Sequence, residues 1–285
     1  SGLQGHVRMD GSSTVYPIAE ALSEEFQLLN PRAMVTPGRS GTRGGFERLC
    51  RGETDIATAS RRVREEETRR CRSSGIELIE LPVALDGVAV VVSPENSFLE
   101  CLSVEELRRI WRPGSPVRTW RDVRPEFPGE GIKLYGPGTD SGTFDYFTEA
   151  VVGEVGASRS DFQASEDDNV LVRGVSGDRY SLGYFGYGYQ VENQDELKLL
   201  AVDGGEGCVL PTEETIRDGR YRPLSRLLYF YLRNSSLRRP EVRALVQFFL
   251  SNAPELIRPT GFLPLPDSVY RENLRIAQEA SRGLP

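Results

Sequence analysis

A chain of 285 residues with 35 Lys and Arg against 42 Asp and Glu, net charge −7 and 38% hydrophobic residues, has the make-up of a globular protein with one large or two ordinary domains. The acidic balance, without a basic face, excludes nucleic acid as a partner. The longest apolar runs, such as residues 87–92, are strand-length, so no segment reads as a membrane span.

In chain order, the opening Ser1-Gly2-Leu3-Gln4-Gly5 lacks the features of a signal peptide and reads as a trimmed terminus. Pro17 starts a helix whose face carries Ile18, Leu22, Phe26 and Leu29, ended by Asn30-Pro31. A strand at Met34-Val35-Thr36 precedes a helix over residues 46–50, which Gly52 stops. Residues 55–60 form a strand ending in Ser60-Arg61, and a charged helix runs from Arg64 to Arg70. Two strands, 76–81 and 88–92, flank Pro82. Ser103 N-caps a helix from Val104 to Trp111, with Glu106 as its capping-box partner. The strand Lys133-Leu134-Tyr135 leads to a helix through Phe144, Phe147 and Val151, and Gly153 stops it. The Gly- and Tyr-rich run 181–189 reads as a strand and turn packed closely on a helix, in preference to an aromatic platform for a sugar or base. A strand at 227–232 and a helix from Pro240 carrying Val242, Leu245, Val246, Phe249 and Leu250 complete the pattern. Strands alternating with helices give an α/β fold with a mixed or parallel sheet.

Three stretches repeat one chemical idea: Asp10-Gly11-Ser12-Ser13-Thr14, Arg39-Ser40-Gly41-Thr42-Arg43-Gly44-Gly45, and Thr139-Asp140-Ser141-Gly142-Thr143. Each places small hydroxyl residues and glycine before an amphipathic segment, where a helix leaves its first N–H groups unpaired and its dipole positive. One such stretch is an ordinary N-cap and turn. Three together point to a tetrahedral oxyanion held by several helix N-termini.

Other chemistries lack their residues. His6, the single histidine, lies in a terminal segment, so a Ser-His-Asp hydrolase has no general base. Asp167-Asp168-Asn169 is the one dense acidic run, and without histidine it reads as a helix cap or turn in place of a metal site. No Gly-rich loop ends in Lys-Ser or Lys-Thr, which excludes a P-loop. No cofactor is implied. The four cysteines lack CxxC spacing, which argues against structural zinc. They fit either free thiols of a cytosolic protein or two disulfides of an exported one. If bridges form, Cys50 and Cys71 close neighbouring helical patterns, and the remaining pair is Cys101 with Cys208.

The three stretches, together with residues 53–61, 80–87, 107–111, 136–144, 165–169 and Pro223-Leu224-Ser225-Arg226, resemble the PstS-type phosphate-binding proteins, in the SphX-like branch, over nearly the whole chain. That resemblance implies a type II periplasmic-binding-protein fold of two α/β lobes, 1–90 plus 229–285 and 91–228, joined by two crossing strands, with the ligand cleft between them. It also implies extracytoplasmic placement (periplasmic or extracellular, with anchoring through a removed N-terminal segment as one form), a monomer, a membrane ABC permease as partner, inorganic phosphate as ligand, no catalysis, and cysteines paired as disulfides. Carried over position by position, Ser13, Thr14, Ser40, Gly41, Thr42 and Ser60 supply hydroxyl and N–H contacts from one lobe, and Ser141, Gly142 and Thr143 from the other. The chain departs from the family twice. Arg61 stands where many members have aspartate, and Pro137-Gly138-Thr139-Asp140 where many have arginine. Arg61 is then expected to balance the ion's charge, and Asp145, in the first turn of its helix, to accept the phosphate proton. Another oxyanion such as sulfate or molybdate, or a scaffold or adhesion role, is the competing reading.

Overall fold

The computed structural model describes residues 2–284. In chain order the elements are β1 (Gly5–Gly11), α1 (Tyr16–Leu29), β2 (Ala33–Pro37), α2 (Thr42–Cys50), β3 (Ile56–Ala59), α3 (Glu65–Ser73) and β4 (Leu78–Val92). There follow β5 (Cys101–Ser103), α4 (Val104–Trp111), α5 (Trp120–Val123), β6 (Lys133–Pro137), α6 (Gly142–Val151), β7 (Gln163–Ser165), α7 (Asp168–Ser176), β8 (Ser181–Gly186) and α8 (Tyr187–Glu192). The last elements are β9 (Lys198–Leu199), β10 (Ala201–Asp203), β11 (Cys208–Val209), α9 (Glu213–Arg217), β12 (Ser225–Arg233), α10 (Pro240–Ser251), α11 (Ala253–Ile257), β13 (Leu263–Pro264) and α12 (Asp267–Arg282).

The chain divides into two units, one made of the residues up to Leu85 and from Leu227 onward, the other of Asp86–Arg226. Both boundaries fall inside long strands, β4 and β12, which pass from one unit to the other. They stand a few residues before the 90/91 and 228/229 boundaries expected from sequence.

In the first unit β1 lies between β2 and β3, parallel to both, and β12 runs antiparallel to β3. Phe46 and Leu49 of α2 pack on Ala57, Ala59, Tyr229 and Tyr231, with Phe46 edge-on to Tyr231 at 4.9 Å. This packing fixes α2 against the sheet. Gly45 makes the close approach possible, since a Cβ there would sit 2.6 Å from the Cα of Gly11.

In the second unit β4 pairs antiparallel with β8, β8 parallel with β6, and β6 parallel with β7. Here β5, β10 and β11 form a separate small sheet. Phe147 of α6 stacks on Tyr184 of β8 at 3.7 Å, and Trp111 of α4 stands edge-on to both rings. These buried rings anchor α6 and so aim its N-terminus. Gly183 does for α7 what the Gly/Tyr run suggested, because a Cβ there would meet Val175 Cγ2 at 2.7 Å.

Both disulfides form, Cys50–Cys71 in the first unit and Cys101–Cys208 in the second. Ser103 and Glu106 close the expected capping box on α4. Three expectations need correction. Leu29 is 68% exposed, so α1 buries Ile18, Leu22 and Phe26 without it. Pro82 does not split a pair of strands: its fixed φ suits extended backbone, its carbonyl accepts from Asn273 Nδ2 at 2.8 Å, and β4 runs through it. His6 belongs to β1, and its Nε2 pairs with Thr36 Oγ1 at 2.6 Å.

Candidate functional site

The hydroxyl and glycine segments of the first unit converge on Asp10. This carboxylate, 1% exposed at the end of β1, accepts from Ser40 N at 3.1 Å, Ser40 Oγ at 2.5 Å and Arg48 Nη1 at 3.1 Å. Burial pushes its pKa up, but the bonds from Ser40 and the Arg48 charge outweigh that and hold it below the ordinary range. The carboxylate therefore stays ionised and clamps the loop before α2. Ser40 is consequently a positioning residue: its hydroxyl proton goes to Asp10 and is not offered to an anion. Gly41 N–H likewise donates to Gly11 O at 2.8 Å. Both differ from the contacts expected of them.

What faces outward from that loop is the start of α2. No side chain caps it, and Gly45 N is its first bonded amide, to Gly41 O at 2.8 Å. The N–H groups of Thr42, Arg43 and Gly44 precede any intrahelical acceptor, and the helix dipole adds positive potential there. Thr42 Oγ1 lies 3.2 Å from Ser60 Oγ and accepts from Ser60 N at 3.2 Å. The structure thus joins the second loop to the end of β3.

Ahead of α1, whose N-cap Val15 has no side-chain cap bond, Ser12 holds the turn. Its buried Oγ accepts from Thr14 N at 3.1 Å and Val15 N at 3.3 Å. The Thr14 amide is engaged there, contrary to the N–H contact expected of it, whereas Ser13 stands half-buried at the loop surface.

Arg61 is the largest departure. Its guanidinium forks onto Glu67, Nη1 to Oε1 at 2.8 Å and Nη2 to Oε2 at 3.1 Å, and Nη1 also donates to Arg62 O at 3.0 Å. Glu67 is 4% exposed and takes a further bond from Arg64 N at 2.8 Å. Burial raises the Glu67 pKa, yet the Arg61 bonds and the Arg64 amide outweigh it and leave the group below its usual range. An ionised carboxylate matches the arginine charge for charge. The fork expected to balance a bound ion is therefore taken up inside the protein.

In the second unit, Ser141 N-caps α6 and its Oγ accepts from Thr143 N at 3.1 Å. Gly142 and Phe144 supply the other first-turn amides, while Ser141, Gly142, Thr143 and Asp145 are all half-buried. Asp167 caps α7, accepting from Asn169 N at 2.9 Å, as the acidic run suggested. Sequence reasoning missed the work of Ser12, Asp10 and Glu67. Ser12 carried a signal, being the first hydroxyl of its loop, but Glu67 was one acid among many in a charged helix.

A family model described as a PBP superfamily domain matches residues 1–253. The chain is 46% identical over 267 residues to Protein SphX of Synechocystis sp., covering 93% of this chain and 80% of that protein. The chain belongs to the PBP superfamily. Within it the relatives are of the SphX and PstS type. The phosphate-binding protein PstS of Staphylococcus saprophyticus subsp. saprophyticus is 38% identical over 273 residues, covering 94% of this chain and 83% of that protein. The crystal structure of a possible phosphate binding protein from Planctomyces limnophilus matches with TM-score 0.93 and 42% identity over 98% of this chain and 99% of that one. The two-lobed periplasmic-binding-protein architecture expected from sequence is thereby shown.

Proposed function

We propose that this PBP-superfamily chain binds inorganic phosphate outside the cytoplasm, without turnover, for delivery to a membrane ABC permease. The observation that carries the reading is a helix start in each unit taken by itself: that of α2, beside the hydroxyls of Thr42 and Ser60, and that of α6, beside those of Ser141 and Thr143. Such groups suit a small oxyanion whose charge is met by dipoles and short hydrogen bonds. The names of the relatives, SphX and phosphate-binding PstS, support phosphate as that ion. Ser13 and Thr14 add hydroxyls, Gly142 an amide, and Asp145 a carboxylate for the ligand proton; Ser40, Gly41 and Arg61 serve by holding the segments in place. Two disulfides suit an oxidising compartment, which supports extracytoplasmic placement. No helix among the described residues is long and apolar enough to cross a membrane, and the protein works as a monomer.

Calorimetric titration with phosphate and sulfate tests this directly. One phosphate bound per chain, with no release of nitrophenol from p-nitrophenyl phosphate, is the expected result. Preference for sulfate, failure to bind phosphate, or hydrolysis that vanishes in Ser141→Ala would each overturn it.

A further inference from the structure

A cation beside a helix start adds to the hold of its dipole on a phosphate, and the two-pronged fork of Arg61 is taken up by Glu67. The second unit holds another guanidinium, packed on α6. Arg226 lies over the ring of Tyr146, its Cζ 3.6 Å from the ring centroid. Tyr146 is on α6, three residues beyond Thr143 and so on the same helical face. A long side chain on a helix leans back over the turn N-terminal to its own Cα. The ring, with the guanidinium on it, therefore leans toward the first turn of α6, which opens with Gly142 and Thr143 after the Ser141 cap.

The arginine is held in place from several sides. Its Nε donates to Asp86 Oδ2 at 3.4 Å, and that carboxylate is 2% exposed. Tyr146 Oη donates to the carbonyl of Pro223 at 2.5 Å, three residues before Arg226. Tyr221 Oη donates to Val88 O at 2.7 Å, and Val88 N to Leu224 O at 2.9 Å, which pins the approach to β12 against β4. A buried acid, an aromatic floor and a tethered backbone thus fix a largely buried cation. Such fixing lowers the entropy lost when the cation meets a ligand.

We propose that Arg226 is the charged ligand group of the oxyanion site, positioned by Asp86 and Tyr146. This rests on the phosphate-binding reading above. It would also account for the departure at Pro137, the cation being supplied from β12 in place of the loop before the helix.

The test is phosphate titration of the whole chain as parent, Arg226→Gln, Arg226→Lys and Arg61→Gln, with thermal melts with and without saturating phosphate. Arg226→Gln should weaken phosphate binding by about tenfold or more, the usual scale for a hydrogen bond to a charged group. Arg226→Lys should recover part of the loss, and Arg61→Gln should stay within about threefold of the parent. A residue with a merely structural role would lower the melting temperature but leave the phosphate-induced rise unchanged, whereas loss of a ligand group shrinks that rise. Parental affinity in Arg226→Gln, or an unchanged rise in both Arg226 variants, would overturn the proposal while leaving phosphate binding intact. A parent that takes up no phosphate would overturn the functional reading, and this proposal with it.

Discussion

At Ser40 and Arg61 an unnoticed carboxylate decides what a polar side chain can do. Both residues look from sequence like ligand groups, and both are engaged by buried acids, Asp10 and Glu67. Arg61→Ala is therefore expected to act on stability before affinity. It leaves Glu67 buried without its main cation, a loss of roughly 2–3 kcal/mol once the partial exposure of the arginine is allowed for. Urea unfolding should show that loss while phosphate affinity stays within about threefold. Glu67 also carries a pH signature. Its folded pKa is depressed, so its contribution is complete above the ordinary glutamate value of about 4.3 and is lost as pH falls through the lower folded value. Glu67→Gln removes that term, and its melting temperature should fall less steeply than the parent's below about pH 4. An acid limb as steep as the parent's would assign the effect to other carboxylates. The roles of Ser40 and Arg61 were hidden in sequence because each depends on a partner's burial, which spacing does not reveal.

Elements whose apolar residues fall on one face were legible, and those held by polar contacts were not. α4 matches its expected span because capping box and apolar stripe agree, and α10 because Pro240 at its first position and an apolar stripe agree. α12 escaped because its buried face holds Tyr270, Asn273 and Ala277, and it is tied to β4 by Tyr270 Oη to Val83 O and Asn273 Nδ2 to Pro82 O. β1 escaped for a related reason, since Val7 and Met9 flank Arg8 in a short strand. The starts of α2 and α6 were visible as hydroxyl and glycine clusters, although α2 begins at Thr42, four residues before the expected apolar start at Phe46. At α6 the element frames a selectivity test. Asp145 lies in its first turn. A carboxylate there can accept the proton that phosphate carries and sulfate lacks, and repels sulfate without relief. Asp145→Asn should keep phosphate binding in part and let sulfate compete in the same titration. If the variant rejects sulfate as the parent does, discrimination lies elsewhere, with Asp140 or a backbone carbonyl next to be tested.

Each unit carries its own aromatic core and its own disulfide, features of a unit that folds by itself. The two-lobed class came from the family resemblance that motifs along the chain carry. They could not place the exact crossings, because β4 and β12 continue through both boundaries without a turn or a change of composition. The disulfides offer a way to separate the units in solution. Cys50–Cys71 spans 21 residues and Cys101–Cys208 spans 107, so chain-entropy arguments assign them roughly 3 and 4–5 kcal/mol. Both tryptophans, Trp111 and Trp120, are buried in the second unit, which makes their fluorescence a report on that unit. Paired replacement of Cys101 and Cys208 by alanine should therefore move the tryptophan-monitored guanidinium transition to clearly lower denaturant. The same replacement at Cys50 and Cys71 should leave that transition near its parental midpoint while far-ultraviolet circular dichroism shows an earlier loss of part of the helix signal. If the Cys50 and Cys71 pair shifts the tryptophan transition as far as the other pair does, the two units unfold as one, and the independence argued from their separate cores is wrong.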